Sequence, residues 1–254
     1  MKILLLGVMV IFSSTAFISQ TPSASPSPDP ETVARLKEQR DRAIKLNELI
    51  TQYNAAVTAK NWPDAETAAT GLVALDPSFV YYSSLGSAQL SQGKVEPAVA
   101  SFTSALERLG TWDQIKTSDE KTRRQGAAVL VNLGNCYLKQ KKSVDAVKLY
   151  EQAAEIDPNP ATAYFNLCAT EYNTGLYEDA LKSCDRALAL DPKKADTWFI
   201  KATLLIGGAV EDKNGKMVAP PGTADALKKY LELAPQGPHA ADVKEMLAFL
   251  GVKQ

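Results

Sequence analysis

VLVNLGNCYLKQKKSVDAVKLYEQAAEIDP, residues 129–158, and AYFNLCATEYNTGLYEDALKSCDRALALDP, residues 163–192, repeat one pattern at a constant offset of 34 residues. Anchored on the closing prolines, the register gives units 127–160 and 161–194. Position 7 is then Leu133 and Leu167, position 20 Ala146 and Ala180, position 27 Ala153 and Ala187, and position 32 Pro158 and Pro192. A fixed period of this length marks a stack of supersecondary units, none of which buries its apolar face alone.

Within a unit, Leu130, Leu133, Gly134 and Tyr137 share one helical face, and Ala146, Tyr150 and Ala153 share a face of a second helix. Small residues at positions 8, 20 and 27 let the two backbones approach to the short end of the ~8–10 Å interaxial range. The proline at position 32 ends the second helix, because it has no N–H to continue the ladder. These positions resemble the tetratricopeptide repeat (TPR) family. The resemblance implies an all-α, right-handed α-solenoid of helix–turn–helix repeats acting as a protein-binding module.

The register extends outward. Asp76-Pro77 closes a unit at about 46–79 with Ala65 at position 20, and Leu85, Gly86, Ala98, Phe102 and Ala105 define one at about 79–112. Between 112 and 127 lies an insertion, in which Thr117-Ser118-Asp119-Glu120 reads as a capping box. The first helix of the third unit is therefore expected to run from near Ser118 to Gln140. A fifth unit, 195–235, has Trp198, Ala202 and Leu205 in its first helix, and Ala226 and Tyr230 in its second. The array thus occupies 31–235, and a helix within 238–250, presenting Val243, Met246, Leu247 and Leu250, is expected to cover its open end.

The fifth unit is interrupted at 207–222 by GGAVEDKNGKMVAPPG. A phosphate-binding loop needs Gly-x4-Gly-Lys-Ser/Thr between a strand and a helix. Here six residues separate Gly208 from Gly215, Met217 replaces the hydroxyl residue, and a repeat helix precedes. The segment reads instead as a small β-hairpin insertion, with Asn214-Gly215 as a two-residue type I′ turn and Val210–Lys213 facing Lys216–Ala219.

The amino-terminal residues have a different character. Lys2 and the apolar run Ile3–Phe12 precede small residues, the pattern of a signal peptide over 1–19 with cleavage between Ala16 and Gln20. The alternative is an anchor over 3–18, but the run is shorter than the ~20 residues of a spanning helix. Residues 20–30 are a Ser/Pro-rich linker. The expected location is accordingly the periplasm or the exterior, with membrane contact only if the segment is retained, and the likeness is to an exported, bacterial type of TPR protein. Asp29-Pro30-Glu31 starts a helix that can reach Ala59; its charged first half is expected to project from the array, as a solvated face or as a docking arm through Val33, Leu36 and Ile44.

The chain of 254 residues is 45% hydrophobic and 22% charged, with 28 Lys+Arg against 29 Asp+Glu. No concentrated basic patch speaks for nucleic acid. His239 is the single histidine and stands at a helix start. No cluster has metal-ligand spacing, and GxSxG and HExxH are absent, so the expectation is a non-catalytic chain without metal or cofactor. Cys168 and Cys184 hold positions 8 and 24 of the fourth unit and face one another across the helix pair. They read either as a candidate disulfide or as two small buried residues.

The resemblance implies that a partner protein or peptide binds in a concave groove lined by the first helix of each unit. The face formed by positions 2, 5, 9, 12 and 13 lies off the core face. It gives Val131, Asn135, Leu138 and Lys139; Thr162, Phe165, Ala169, Tyr172 and Asn173; and Asp196, Phe199, Thr203 and Ile206. The TPR clamps that hold a free carboxylate carry Lys or Arg at positions 2, 5 and 6. Position 5 here is Val131, Phe165 and Phe199, so an extended or helical peptide with apolar side chains, its backbone held by Asn135, fits better.

Overall fold

The computed structural model describes residues 29–215 and 217–252. The expected leader at 1–19, the linker up to residue 28 and the expected strand residue Lys216 lie outside the described residues. The chain divides after Ala43 into two units. In the first, the described residues begin the long helix α1 (Pro30–Thr58), whose start is capped by Asp29: Oδ1 accepts from the Thr32 N–H at 2.9 Å and Oδ2 from the Thr32 hydroxyl at 2.7 Å. Val33 and Leu36 are half exposed.

The second unit begins at Ile44 and carries the repeats. After the last turns of α1 come α2 (Trp62–Leu75), α3 (Phe79–Ser91), α4 (Val95–Leu109), α5 (Trp112–Thr117), α6 (Glu120–Lys139), α7 (Ser143–Ile156), α8 (Ala161–Asn173), α9 (Tyr177–Leu190) and α10 (Ala195–Ile206). The strands β1 (Val210–Glu211) and β2 (Met217–Val218) and the helices α11 (Thr223–Leu233) and α12 (Ala240–Phe249) complete it. Helices pair as α3 with α4, α6 with α7, α8 with α9 and α10 with α11, and each pair stacks on the next through α2–α3, α4–α6, α7–α8 and α9–α10. The result is an α-solenoid.

Position 20 is small and enclosed in every repeat: Ala65, Ala98, Ala146, Ala180 and Ala226 are all fully buried. Positions 8 and 24 meet next to it. A β-carbon on Gly134 would lie 2.5 Å from Cε1 of Tyr150, and one on Gly86 would lie 2.8 Å from the ring of Phe102, so a ring in one helix requires bare backbone in the other. In the fourth repeat the same two positions hold Cys168 and Cys184, joined by a disulfide with Cα atoms 4.9 Å apart. Of the two readings open for this pair, the bridged one is the one the structure contains.

The turns inside the repeats share one conformation that composition does not announce. Position 15 is Lys60, Gly93, Lys141 and Gly175 in the first four repeats, with φ of 54°, 75°, 61° and 82°. The next residue then donates back to the carbonyl five residues earlier: Asn61 to Ala56, Lys94 to Gln89, Lys142 to Tyr137 and Leu176 to Glu171, at 2.8–3.0 Å. This left-handed closure satisfies the end of each first helix and turns the chain into the second. The repeat junctions are likewise set locally, where Asp157 and Asp191 accept from the backbone of Asn159 and Lys193 at 2.9 and 3.1 Å.

Three expectations are corrected. The insertion before the third repeat contains its own helix, α5, opened by a capping box between Thr111 and Gln114, and α6 starts two residues later than expected, with Asp119 as its cap. Ser118 instead ends α5, its hydroxyl donating to the Ile115 carbonyl at 2.7 Å. The hairpin pairs Val210 with Val218 and Glu211 with Met217, one residue out of the register expected for a two-residue turn. The N–H of Gly215, at φ 76°, donates to the Asp212 carbonyl, which makes a three-residue loop with glycine in the left-handed position. Met217 and Ala219 pack on the terminal core of Ala202, Leu227, Tyr230, Val243 and Leu247.

Candidate functional site

Helices α6, α8 and α10, the first helices of three successive repeats, lie side by side, α6 against α8 and α8 against α10. The groove residues expected from the sequence are carried on this row. Val131, Asn135 and Leu138 on α6, and Phe165, Ala169 and Tyr172 on α8, are half-buried, while Thr162 and Asn173 are exposed. Val131 and Leu138 give part of their surface to the core around Ala146, Tyr150 and Leu167.

Asn135 is oriented by the core. The Tyr150 hydroxyl, held well above its usual range by burial, donates to Asn135 Oδ1 at 2.7 Å. The amide therefore offers its Nδ2 donors, and a peptide carbonyl is the group it can take. Phe165 lines a small cavity of about 120 Å³, together with Thr162, Ala187, Asp191, Lys194 and Thr197. The Lys194 ammonium lies 4.6 Å above the Phe165 ring, a cation–π contact from the junction between repeats. Tyr172 lies 6.2 Å from Tyr177, tilted by 46°.

The fifth repeat departs from this pattern. Phe199 stacks on the His239 ring at 3.8 Å with an angle of 4°, and Tyr230 tilts against it at 5.8 Å. The Tyr230 hydroxyl accepts from the His239 N–H at 3.0 Å. Phe199 is thus engaged with the C-terminal segment, and the Thr203 hydroxyl donates to the Phe199 carbonyl at 2.9 Å, within its own helix. Phe199 and Ile206 both pack on the C-terminal core, which the groove side chains of α6 and α8 do not join. Spacing alone does not separate Phe165 from Phe199; only the position of His239 in space does.

Cys136 is buried, and burial pushes its thiol up to about 11, so the protonated form prevails at neutral pH. Among the described residues no group of three His, Cys, Asp or Glu side chains is placed to hold a metal ion, and no helix is long and apolar enough to cross a membrane.

The tetratricopeptide repeat models match residues 127–160 and 161–194, the two units set by the 34-residue offset. Among curated relatives, the small glutamine-rich tetratricopeptide repeat-containing protein beta of Homo sapiens is 43% identical over 52 residues, which cover 20% of this chain and 17% of that protein. Serine/threonine-protein phosphatase 5 of Rattus norvegicus is 32% identical over 111 residues, 42% of this chain and 22% of the phosphatase. The chain thus spans less than a quarter of either relative. Among solved structures, YrrB, described as a TPR protein with an unusual peptide-binding site, superposes with a TM-score of 0.56 at 17% identity, covering 85% of this chain and 98% of YrrB. A tetratricopeptide repeat protein from Parabacteroides merdae ATCC 43184 gives 0.58 at 17% identity, covering 82% and 74%. MamA gives 0.55 at 14% identity, covering 76% and 93%. These similarities establish the TPR repeats and the α-solenoid fold.

Proposed function

We propose that this chain is a non-catalytic interaction scaffold, exported to the cell envelope, that holds an extended or helical peptide segment of a partner protein along the first helices of its third and fourth repeats. TPR repeats generally serve protein–protein interaction, and this chain carries two matched ones. The observation that carries the finer reading is the set of half-buried apolar side chains outside the core register, Leu138, Phe165 and Tyr172, beside an amide whose oxygen is occupied by the Tyr150 hydroxyl. Apolar side chains of a ligand would pack on the first three, and its backbone would accept from Asn135. The leader read in residues 1–19 supports export.

The test is capture of partners from the envelope fraction by the wild type and by a Phe165→Ala/Tyr172→Ala variant. Phe199 is left intact because its ring packs on His239 and Tyr230. Loss of a defined partner with an unchanged helical spectrum supports the groove; unchanged capture places the site elsewhere.

A second reading, an assembly component that oligomerises through its N-terminal helix, is favoured by the half-exposed Val33 and Leu36, one turn apart. Sedimentation distinguishes the two, since the scaffold is expected as a monomer and the assembly component as an oligomer dissociated by Leu36→Glu.

A further inference from the structure

The second helices of the third and fourth repeats, α7 and α9, bound a cleft of about 550 Å³ whose floor is α8. Its lining holds four carboxylates, Glu151, Glu155, Glu171 and Asp179, against two cations, Lys182 and Arg186. Four of these six charges are engaged within the chain. Glu155 pairs with Lys116, Asp179 with Lys182 at 3.0 Å, and Arg186 sits 5.3 Å above the Tyr164 ring.

Glu171 is different in kind. It is only 7% exposed, and its Oε2 is buried without a hydrogen-bond partner. Burial holds the group above the usual carboxylate range, outweighing the favourable influence of the nearby Ser183 hydroxyl and of Lys182, with Asp179 and Glu151 adding to the effect. A buried carboxyl with an oxygen that has no partner is costly to keep.

The chain itself shows how such a position is completed. Glu171 and Ser183 are positions 11 and 23 of their repeat; in the second repeat these positions are Gln89 and Ser101, and the Ser101 hydroxyl donates to Gln89 Oε1 at 2.7 Å. There the polar cluster is closed by Glu66, position 21 of the preceding repeat, which accepts from Lys94 at 2.6 Å, Gln92 at 2.8 Å and Gln89 at 3.4 Å. One carboxylate, one ammonium and two amides neutralise each other between neighbouring repeats. In the fourth repeat the carboxyl is at position 11, and the residues standing where Glu66 and Lys94 stand are Val147 and Leu176. Position 16, which supplies the cation at the first junction, is thus apolar at the second, and the cleft's own cations, Lys182 and Arg186, stand on α9, engaged with Asp179 and the Tyr164 ring.

We propose that the cleft between α7, α8 and α9 is a second binding site, which takes a lysine or arginine side chain of a partner protein with Glu171 as its counter-ion. The incoming cation fills the role of Lys94, its methylenes lying along Val147 and Leu176 and its charge meeting Glu171 below and Glu151 at the rim. The site lies on the second-helix side of the repeats and does not rest on the reading of the α6–α8 row.

The probes are an acetylated, amidated nine-residue peptide bearing three lysines and the same peptide with glutamines, titrated into the isotopically labelled protein at fixed ionic strength. The lysine peptide is expected to shift the amides around Val147, Glu171 and Ser183, and the glutamine peptide to leave them in place. Glu171→Gln keeps the shape of the side chain and is expected to weaken the lysine peptide by roughly ten-fold. Val147→Lys supplies an ammonium from within; it is expected to abolish peptide binding and raise the melting temperature. Shifts centred elsewhere, equal affinity in Glu171→Gln, or undiminished binding to Val147→Lys overturns the proposal. Phe165→Ala/Tyr172→Ala is expected to leave this titration unchanged, so the two sites stand or fall separately.

Discussion

The aromatic ring of Tyr150 rests on the bare backbone of Gly134, and its hydroxyl is held by Asn135 one residue further along the same helix. The ring is fixed at both ends, so it cannot yield to a side chain at position 134. Gly134→Ala is expected to cost about 1–2 kcal/mol net, overpacking outweighing the gain in helix propensity. Thermal unfolding reads this as a fall in Tm of a few degrees, accompanied by a change in the surroundings of Tyr150.

The disulfide between Cys168 and Cys184 spans 16 residues of sequence and ties the two helices of the fourth repeat. In the chain-entropy account a loop of this size is worth about 3 kcal/mol. The Cys168→Ala/Cys184→Ala variant is expected to melt well below the wild type, and reductant to lower the wild type alone. Thiol titration in denaturant is expected to find one free thiol, that of Cys136.

Lys141 adopts φ 61° in the turn between α6 and α7 and is exposed. A residue with a β-carbon pays about 1–2 kcal/mol to stand there, and glycine does not. Lys141→Gly is expected to stabilise the protein, less than that figure because glycine also frees the unfolded chain. Denaturant melts should show a higher midpoint with an unchanged slope. A lower midpoint would mean that the lysine stem carries packing that outweighs its backbone.

Glu171 gives a pH signature of known sign. Its carboxyl is raised in the folded protein, so the folded state holds the proton more tightly than the unfolded one. The penalty on folding is complete above the folded pKa and disappears as pH falls through that value toward the ordinary glutamate range. Glu171→Gln is therefore expected to raise Tm by about 2–4 °C at pH 7. The difference should close on acidification.

Glu66 has the opposite sign. Lys94, first, then Gln92 and Gln89 hold its carboxylate below the ordinary value against the cost of burial. Its stabilisation is present above the unfolded pKa and is lost as pH falls through the folded one. Because the ammonium is half exposed, Lys94→Met is expected to cost under about 1 kcal/mol, and less in high salt.

The helix pairs were legible because positions 8, 20, 24, 27 and 32 each carry a steric demand that few residues meet, and Ala98 or Pro192 declares it openly. The left-handed turn residue was not, since Lys60 and Lys141 stand where Gly93 and Gly175 stand and only the hydrogen bond back to the first helix forces them. The hairpin was legible as an insertion, but its register depends on whether Asn214-Gly215 forms the whole turn or only its end. Helix α5 was hidden by its length of six residues, too short to show a period. Of the groove, Phe165 and Phe199 look alike in sequence, and the ring of His239, forty residues further on from Phe199, distinguishes them in space.

The junction built on Glu66 also constrains how an array like this one is assembled from its parts. Repeats of common length invite the view that they are interchangeable beads, free to be duplicated or shuffled. If the fourth repeat were copied to follow the first, Glu171 would arrive opposite Glu66 with a leucine where Lys94 now stands, and two carboxylates would share one buried seam. The order of the repeats is thus written into the charges between them.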